Sequence, residues 1–455
     1  MINLFNIFII FLINIYQVES TYYDFIPEKV TTLNFNQHQI FETNCWKEVY
    51  LYLNKTKLYM SYNKKKSFWC DDLLLYGNHH RLSLEYMIFP GEKNITLNPN
   101  EYADIKYYGM NFFIFQNGLL DSLYSLWDTS KLFRGNEMEI ENKKFLKQKM
   151  KINLKPSKLK PIPNNLKSGD VFLIRRLDGL DPLIMWGTGS HIGHTAVHIN
   201  NYIYESTGEN IFGKNYWPPP YGFIRTELNE WINNAKKADY DVVVIRLQEK
   251  YSKLLDKNIN FINNWWEKNK GTPYGFNNFI WGWIDTKNKN FPEPMSSELF
   301  SIIISFMYRH NLAKEKLDSF IMEPLNKRLQ HYFKVKPLGN FTDILEWTYV
   351  EKISLYDLWT LSEQDEWLYN NNYSRVCDTF ILTLYKLGGI IPQEIQITEF
   401  SPRDFYLTNL FEDSKEQFLG KYKIELPYFN SIKLYQNMNT NCSTIPNEYF
   451  RNKNC

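Results

Sequence analysis

The chain has 455 residues, a formal net charge of +2 and 44% hydrophobic residues. A chain of this length can bury one large core and has room for a second. Its one basic stretch, Lys143 to Lys167, is interrupted by three prolines, which is typical of a solvated linker. We therefore expect no nucleic-acid partner, because such binding needs a continuous basic face.

The first twenty residues predict export. Leu4 to Tyr16 is a nearly unbroken apolar run that is too short to span a bilayer, and small residues follow it at the position that signal peptidase requires. Residues 1–20 are thus predicted to be a signal peptide, with an uncleaved anchor as the alternative because no Lys or Arg precedes the run. Once cleaved, the protein is expected in the secretory pathway without a stable transmembrane anchor, either secreted or in a lysosome-like lumen.

The cysteine count agrees with export. Of five cysteines, Cys45 and Cys70 bracket a β-type segment, and Cys442 and Cys455 bracket a polar tail, so two short disulfide loops are predicted. Cys377 is left over, either as an inert buried thiol or as a reactive one. Asparagines in glycosylation sequons are consistent with this compartment and stand at Asn54, Asn94, Asn340, Asn372 and Asn441.

Residues 21–142 are predicted to form a small β-rich domain. Short alternating runs such as Val49–Leu53 and Phe112–Phe115 are separated by Asn, Gly and Pro turns, which is the pattern of short strands. Residues 143–165 are then predicted to be the basic, proline-containing linker.

Histidines cluster after the linker. Gly169 and Asp170 open an apolar run, and a glycine-rich loop then leads to His191, His194 and a second β-type run that ends near Glu205. Asp170 is expected to cap the turn into the first strand.

Strand alternation separates the residues of the second run. His194, Ala196 and His198 should face one layer, while Thr195 and Val197 face the other. No Cys or carboxylate at ligand spacing joins the histidines, so we expect neither a metal nor another cofactor.

A helix is predicted around the lone thiol. Apolar residues recur at helical spacing from Val376 to Leu387, and Gly388 with Gly389 provides a stop. With Ser374 as the cap, Cys377 falls in the first turn, where the helix dipole favours the thiolate. We expect this thiol to contact the His194 ring, which Glu205 would orient for attack on an acyl carbon.

These motifs resemble the NlpC-type papain-like hydrolases. Gly169–Phe172 followed by Gly193–Val197 looks like their Gly-Asp strand and base-histidine strand, and Gly271–Gly275 resembles the Gly and Tyr motif before the nucleophile helix of YiiX-type members. The Cys lies downstream of the His, as in the circularly permuted YiiX-type and lecithin:retinol acyltransferase-type proteins. The resemblance covers roughly residues 165–410.

The resemblance implies an α+β fold. A circularly permuted papain-like core would occupy residues 166–412, with a helical insertion at about 296–369 and a tail at 413–455. It also implies that Cys377 is the nucleophile, His194 the general base and Glu205 the third polar member.

Two alternatives remain open within the resemblance. His191 also stands in a Ser-His-x-Gly context, although His194 directly begins the apolar strand. Ser297 lies in a stretch, Ser296–Leu299, that is similar to the family's nucleophile-helix start with Ser in place of Cys.

Three functions follow from these residues. The first is an exported cysteine-dependent hydrolase of the peptidase or amidase type, which cleaves an amide or ester of a small-molecule or peptide substrate through an acyl-enzyme. The second is a lipid acyltransferase or thioesterase of the same fold, with an acyl groove lined by Trp186, Trp217, Trp281 and Trp283. The third is a catalytically silent surface glycoprotein that binds a partner.

Overall fold

The computed structural model describes residues 22–431 apart from 24, 68–69, 116–117, 209–216, 280, 282–295, 313, 360, 371–372 and 399. The described chain forms two compact units, which hold residues 22–78 with 82–131 and residues 79–81 with 132–431. Both units contain helices and strands, so the protein is of the α+β class.

The first unit is built from two four-stranded sheets, with strand orders β1-β8-β5-β6 and β2-β3-β4-β7. The strands are β1 (Glu28–Leu33), β2 (Gln37–Phe41), β3 (Trp46–Leu53), β4 (Lys57–Lys65), β5 (Asp72–Asn78), β6 (Arg81–Met87), β7 (Gly91–Thr96) and β8 (Met110–Phe115). Two helices, α1 (Glu101–Tyr108) and α2 (Gly118–Lys131), complete the unit. The runs that predicted strands at 49–53 and 112–115 lie in β3 and β8.

Alternation explains the packing of this unit. In β3, Trp46, Val49, Leu51 and Leu53 are buried, and they join a core to which both sheets contribute. Cys45 and Cys70 at the edge of this core form the predicted disulfide.

The second unit is organised around a six-stranded sheet of order β12-β11-β10-β9-β13-β14 with antiparallel neighbours. Its strands are β9 (Val171–Arg175), β10 (His194–Ile199), β11 (Tyr202–Thr207), β12 (Gly222–Glu227), β13 (Asp241–Leu247) and β14 (Phe411–Leu419). Its helices before the insertion are α3 (Met138–Met150), α4 (Leu180–Thr188), α5 (Leu228–Lys237), α6 (Glu249–Lys257), α7 (Ile259–Asn269) and α8 (Phe276–Asn278).

Helices cover both faces of this sheet. Val171, Leu173 and Val197 pack with residues of the helix that begins at Cys377. Phe172, Ile174 and Ala196 pack instead with Trp231 and Ala235 of α5. Every residue of β9, β10 and β13 is buried, which accounts for the nearly continuous apolar sequences of β9 and β13.

Asp170 has the predicted capping role. One of its carboxylate oxygens accepts from the Lys167 backbone N–H at 2.9 Å, and the other accepts from the Leu247 N–H at 3.0 Å. Arg246 Nη1 also lies 2.5 Å from this carboxylate. Asp170 therefore joins the start of β9 to the end of β13.

A helical segment occupies most of residues 296–369, where the sequence predicted helices. Its elements are α9 (Ser297–Arg309), α10 (Lys314–Leu317), a π-helical turn (Asp318–Met322), α11 (Glu323–Phe333), α12 (Phe341–Glu351) and α13 (Leu355–Trp359), and they share their own apolar core. Ser296 caps α9 by accepting from the Leu299 N–H. Two further helices are α14 (Cys377–Leu387) and α15 (Pro402–Leu407).

Two predicted boundaries differ from the structure. The linker expected at 143–165 begins within α3, because Phe145 and Leu146 are buried on a helical face before the first proline, Pro156. The tail expected at 413–455 begins within β14, which pairs with β13. As an edge strand with several exposed positions, β14 has a polar sequence that carries little strand signal.

Several predictions lie outside the described residues: the signal peptide, the pair Cys442 and Cys455, Asn372, Asn441 and Trp283. The other sequon asparagines are accessible, since Asn94 and Asn340 are exposed and Asn54 is half-buried. Across the described ranges, no helix has the length and apolar character needed to cross a membrane.

Candidate functional site

A buried histidine and a buried glutamate are paired on neighbouring strands. Val197 of β10 is paired with Tyr204 of β11, and this register places Glu205 diagonally opposite His194 on the same face. His194 Nε2 lies 2.7 Å from Glu205 Oε2. Glu205 thus orients His194, as the sequence predicted, although the pairing by itself does not establish catalysis.

Trp231 completes this pair. Its indole Nε1–H donates to Glu205 Oε1 at 2.8 Å, so both carboxylate oxygens are occupied. Because Glu205 accepts, the proton of the neutral imidazole belongs on Nε2, and Nδ1 is left as an acceptor. In the part of the chain that the structure describes, Nδ1 has no hydrogen-bond partner.

Trp231 could not be recognised from sequence, because it lies on α5 and reaches Glu205 only through the fold. Its ring packs against Phe172 and Trp217, with centroid distances of 5.2 and 5.7 Å. The one available signal was its place on the apolar face of an amphipathic helix. This aromatic layer keeps water from the carboxylate.

A second carboxylate fixes the loop before His194. Asp181 of α4 accepts from the Arg176 backbone N–H at 2.8 Å and from Arg176 Nε at 2.9 Å. A Cβ at Gly193 would lie 2.4 Å from Asp181 Cγ and 2.7 Å from its Cα. The residue before His194 must therefore be glycine for this close packing, a constraint that was not evident from sequence.

Cys377 is the first residue of α14 and is a free, fully buried thiol. The cap is the extended residue Val376, two residues after the predicted cap Ser374. The carbonyl of Arg375 accepts from the Gly275 N–H at 3.1 Å and from Ser206 Oγ at 2.7 Å. The start of α14 is thus attached both to β11 and to the segment Gly271–Gly275 that the family resemblance singled out.

The surroundings of the thiol are mainly apolar. Cys377 clusters with Ile184 and Val376, and Leu180, Tyr274 and Phe279 pack against this cluster. Burial raises the pKa of the Cys377 thiol well above its ordinary value, and the neighbouring Asp378 charge raises it further. The backbone and hydroxyl of Thr195 act in the opposite direction but are outweighed.

The prediction of a thiolate at the start of α14 is therefore wrong. A helix N-terminus stabilises a nearby negative charge by about 0.3–1 kcal/mol. Removing an ion from water costs several kcal/mol. The desolvation of a fully buried sulfur exceeds the contribution of the dipole, so Cys377 is a neutral thiol here.

The expected contact between Cys377 and His194 is also not made as a hydrogen bond among the described residues. Thr195 lies on the α14 side of the sheet, whereas His194 lies with Ala196 on the Trp231 side. The thiol consequently meets Thr195, one strand position beyond His194.

The other candidates have different environments. The pKa of His191 is lowered to about 4, first by burial and then by the Arg175 charge. His198 Nδ1 lies 3.0 Å from the Lys167 carbonyl oxygen, and burial lowers the pKa of His198. Glu205 is paired with neither of them, which favours His194 over His191. Ser297 is the first residue of α9 in the helical insertion.

The tryptophans proposed for an acyl groove do not lie together. Trp186 packs on Phe145, Trp217 stacks on Tyr240, and Trp281 belongs to the core of the insertion. They support separate packing clusters, so the groove expected from sequence is not formed by these three rings.

No group of three or more His, Cys, Asp or Glu residues within the described ranges is arranged to hold a metal ion. A comparison of the chain with protein-family models, with curated proteins and with solved structures found no match.

Proposed function

We propose that the protein is an exported cysteine-dependent hydrolase that cleaves an amide or ester through an acyl-enzyme. Cys377 is the nucleophile, His194 the general base and Glu205 the residue that orients the imidazole. One observation carries the proposal: Glu205 and Trp231 hold His194 with Nδ1 unoccupied, one strand position from the residue that contacts the thiol.

The proposal includes the permuted papain-like core. In support of it, a Gly-Asp strand (β9) pairs with a strand that begins with His194, and a helix that begins with Cys377, farther along the chain, packs on that sheet. The attachment of Gly275 to Arg375 adds the predicted motif next to the nucleophile helix.

The chemistry begins with a neutral thiol. His194 Nδ1 takes the proton from Cys377 Sγ as the sulfur attacks the substrate carbonyl carbon, so ionisation accompanies attack and does not precede it. The imidazolium then protonates the leaving amine or alcohol, and the acyl group remains on sulfur as a thioester. In the second half, His194 removes a proton from water, which attacks the thioester and regenerates the thiol.

Glu205 acts on this sequence without changing its own protonation. It keeps the Nε2 proton in place and stabilises the positive imidazolium. Access to the thiol requires a shift of the side chains that cover it, including Tyr274 and Phe279. Because the imidazole and the thiol lie on opposite faces of the sheet, the proton transfer also requires a rearrangement at the start of β10 that brings His194 Nδ1 to Cys377 Sγ.

A second candidate is a catalytically silent binding glycoprotein. It is favoured by the full burial of Cys377 together with its raised pKa and the missing hydrogen bond to His194. In that case, Cys377 is a packing residue.

Alkylation of the folded protein by iodoacetamide separates the two candidates. For a hydrolase, mass spectrometry should find alkylation at Cys377 under native conditions, at a rate that falls in His194→Ala. His198→Ala is the matched control, because His198 is a buried histidine on the same sheet face. Alkylation of Cys377 only after denaturation would instead establish the silent protein.

A further inference from the structure

A second polar side chain lies at the thiol and is not used by the mechanism above. Thr195 is fully buried, its hydroxyl lies beside the Cys377 thiol, and within the described ranges its Oγ1 makes no hydrogen bond of normal geometry. Buried hydroxyl groups in folded proteins are nearly always paired, so an unpaired one requires a reason.

Strand register places Thr195 on the sheet face that packs against α14. The pairing of β10 with β11 places Thr195 beside Ser206 on the face that carries α14. Ser206 Oγ donates to the Arg375 carbonyl at 2.7 Å and thereby secures the start of α14. The Thr195 hydroxyl makes no corresponding hydrogen bond and lies beside the Cys377 thiol.

The proposed reaction creates a hydrogen-bond acceptor beside the Cys377 sulfur. When Sγ adds to a carbonyl carbon, the carbonyl oxygen becomes an oxyanion two bonds from the sulfur. A donor that is already positioned beside the sulfur, in a site without water, stabilises such a charge without any cost of reorientation.

We infer that Thr195 is a catalytic residue whose Oγ1–H donates to the oxyanion of the tetrahedral intermediate. This inference rests on the proposed function and assigns a new role within the same site. Thr195 takes part in no proton transfer: the proton of Sγ goes to His194, and the hydroxyl keeps its own.

The alternative role for Thr195 is to hydrogen-bond the sulfur itself and so to promote its ionisation. The two roles differ in reactions that form no oxyanion. Alkylation by iodoacetamide uses the sulfur and its base His194 to displace iodide from a saturated carbon, so it forms no oxyanion. Acetylation by p-nitrophenyl acetate passes through a tetrahedral oxyanion, forms a thioester on Cys377 and releases p-nitrophenol.

The experiment compares Thr195→Val with Thr195→Ser in the full-length protein. Valine keeps the branched shape and removes the hydroxyl, while serine restores it. We expect Thr195→Val to slow acetylation of Cys377, followed by mass spectrometry, about 10²–10³-fold. Its alkylation rate should stay within about twofold of the unsubstituted protein, and Thr195→Ser should recover most of the acetylation rate.

Each other outcome rejects the inference. An equal loss in acetylation and alkylation would assign Thr195 to the sulfur, and unchanged acetylation in Thr195→Val would leave it no catalytic role. Unsubstituted protein that is alkylated at Cys377 but never acetylated would reject the proposed function, and the inference with it. Thermal unfolding of both variants checks that each is folded.

Discussion

The two faces of the six-stranded sheet differ in how completely their polar side chains are hydrogen-bonded. On the α5 face, His194, Glu205 and Trp231 form a chain in which both carboxylate oxygens are bonded. On the α14 face, the Cys377 thiol is desolvated and the Thr195 hydroxyl has no acceptor among the described residues. The first face is therefore preorganised by hydrogen bonds, whereas the second is incomplete.

The largest expected effect tests the incomplete face. Cys377→Ala should lower turnover of p-nitrophenyl acetate by at least about 10³-fold, because the nucleophile is removed. Steady-state release of p-nitrophenol measures this loss, and His198→Ala should stay near the unsubstituted rate. Turnover that survives in Cys377→Ala would show that another group performs the reaction.

The next effect tests the preorganised face. In Glu205→Gln, the amide oxygen should face the Trp231 N–H, so the amide NH₂ faces Nε2 and moves the imidazole proton to Nδ1. His194 then cannot accept from the thiol, and we expect kcat/KM to fall about 10²–10⁴-fold.

The double variant Glu205→Gln with Trp231→Phe refines this prediction. Without the indole donor, the amide oxygen can turn to Nε2 and restore the proton to that nitrogen. Partial recovery of kcat/KM relative to Glu205→Gln is expected, whereas a further loss would show that Trp231 contributes mainly through packing.

A smaller effect on stability concerns the loop that delivers His194. In Gly193→Ala, the new methyl group would overlap Asp181, including its backbone, and we expect a loss of about 1–3 kcal/mol in the free energy of unfolding. Gly187→Ala is the matched control, because its Cβ would meet no atom within 4 Å. In α4 this change should be neutral or stabilising by about 0.5–1 kcal/mol in urea unfolding.

The last prediction concerns the pH dependence of stability that His191 produces. The pKa of His191 is lowered to about 4 in the folded protein, so the unfolded chain binds a proton more readily as the pH falls below about 6.5. Its contribution to stability is present above pH 6.5 and is lost as the pH falls toward 4.

The neutral variant His191→Gln should therefore lose less stability between pH 7 and pH 4.5 than the unsubstituted protein, by roughly 2 kcal/mol. Urea unfolding at the two pH values measures this difference. An identical pH dependence in both proteins would mean that His191 is accessible to protons in the folded state.

Sequence patterns predicted the features that depend on residues within a single helix or strand or on two adjacent segments. The alternation in β3 and β8 and the helical spacing after Cys377 are properties of a few neighbouring residues, and both were predicted. The disulfide between Cys45 and Cys70 and the pairing of Glu205 with His194 were also predicted, since a short loop or two adjacent strands connect each pair.

Such patterns could not predict contacts between segments that are distant in sequence. Trp231 reaches Glu205 from a helix, and Asp181 restricts Gly193 from another, without any sequence spacing that relates them. The polar edge strand β14 was missed because only its partner β13 makes it a strand.

The sequence by itself determined the strand and helix periods, the spare cysteine and the histidine that begins a buried strand. Only the tertiary structure decided which side of the sheet each group occupies and how much water it retains. Periodicity is a property of neighbouring residues, but the ionisation of Cys377 depends on the desolvation produced by residues from several distant segments. For that reason a thiolate was expected at the start of α14, and a buried thiol beside Thr195 is found there.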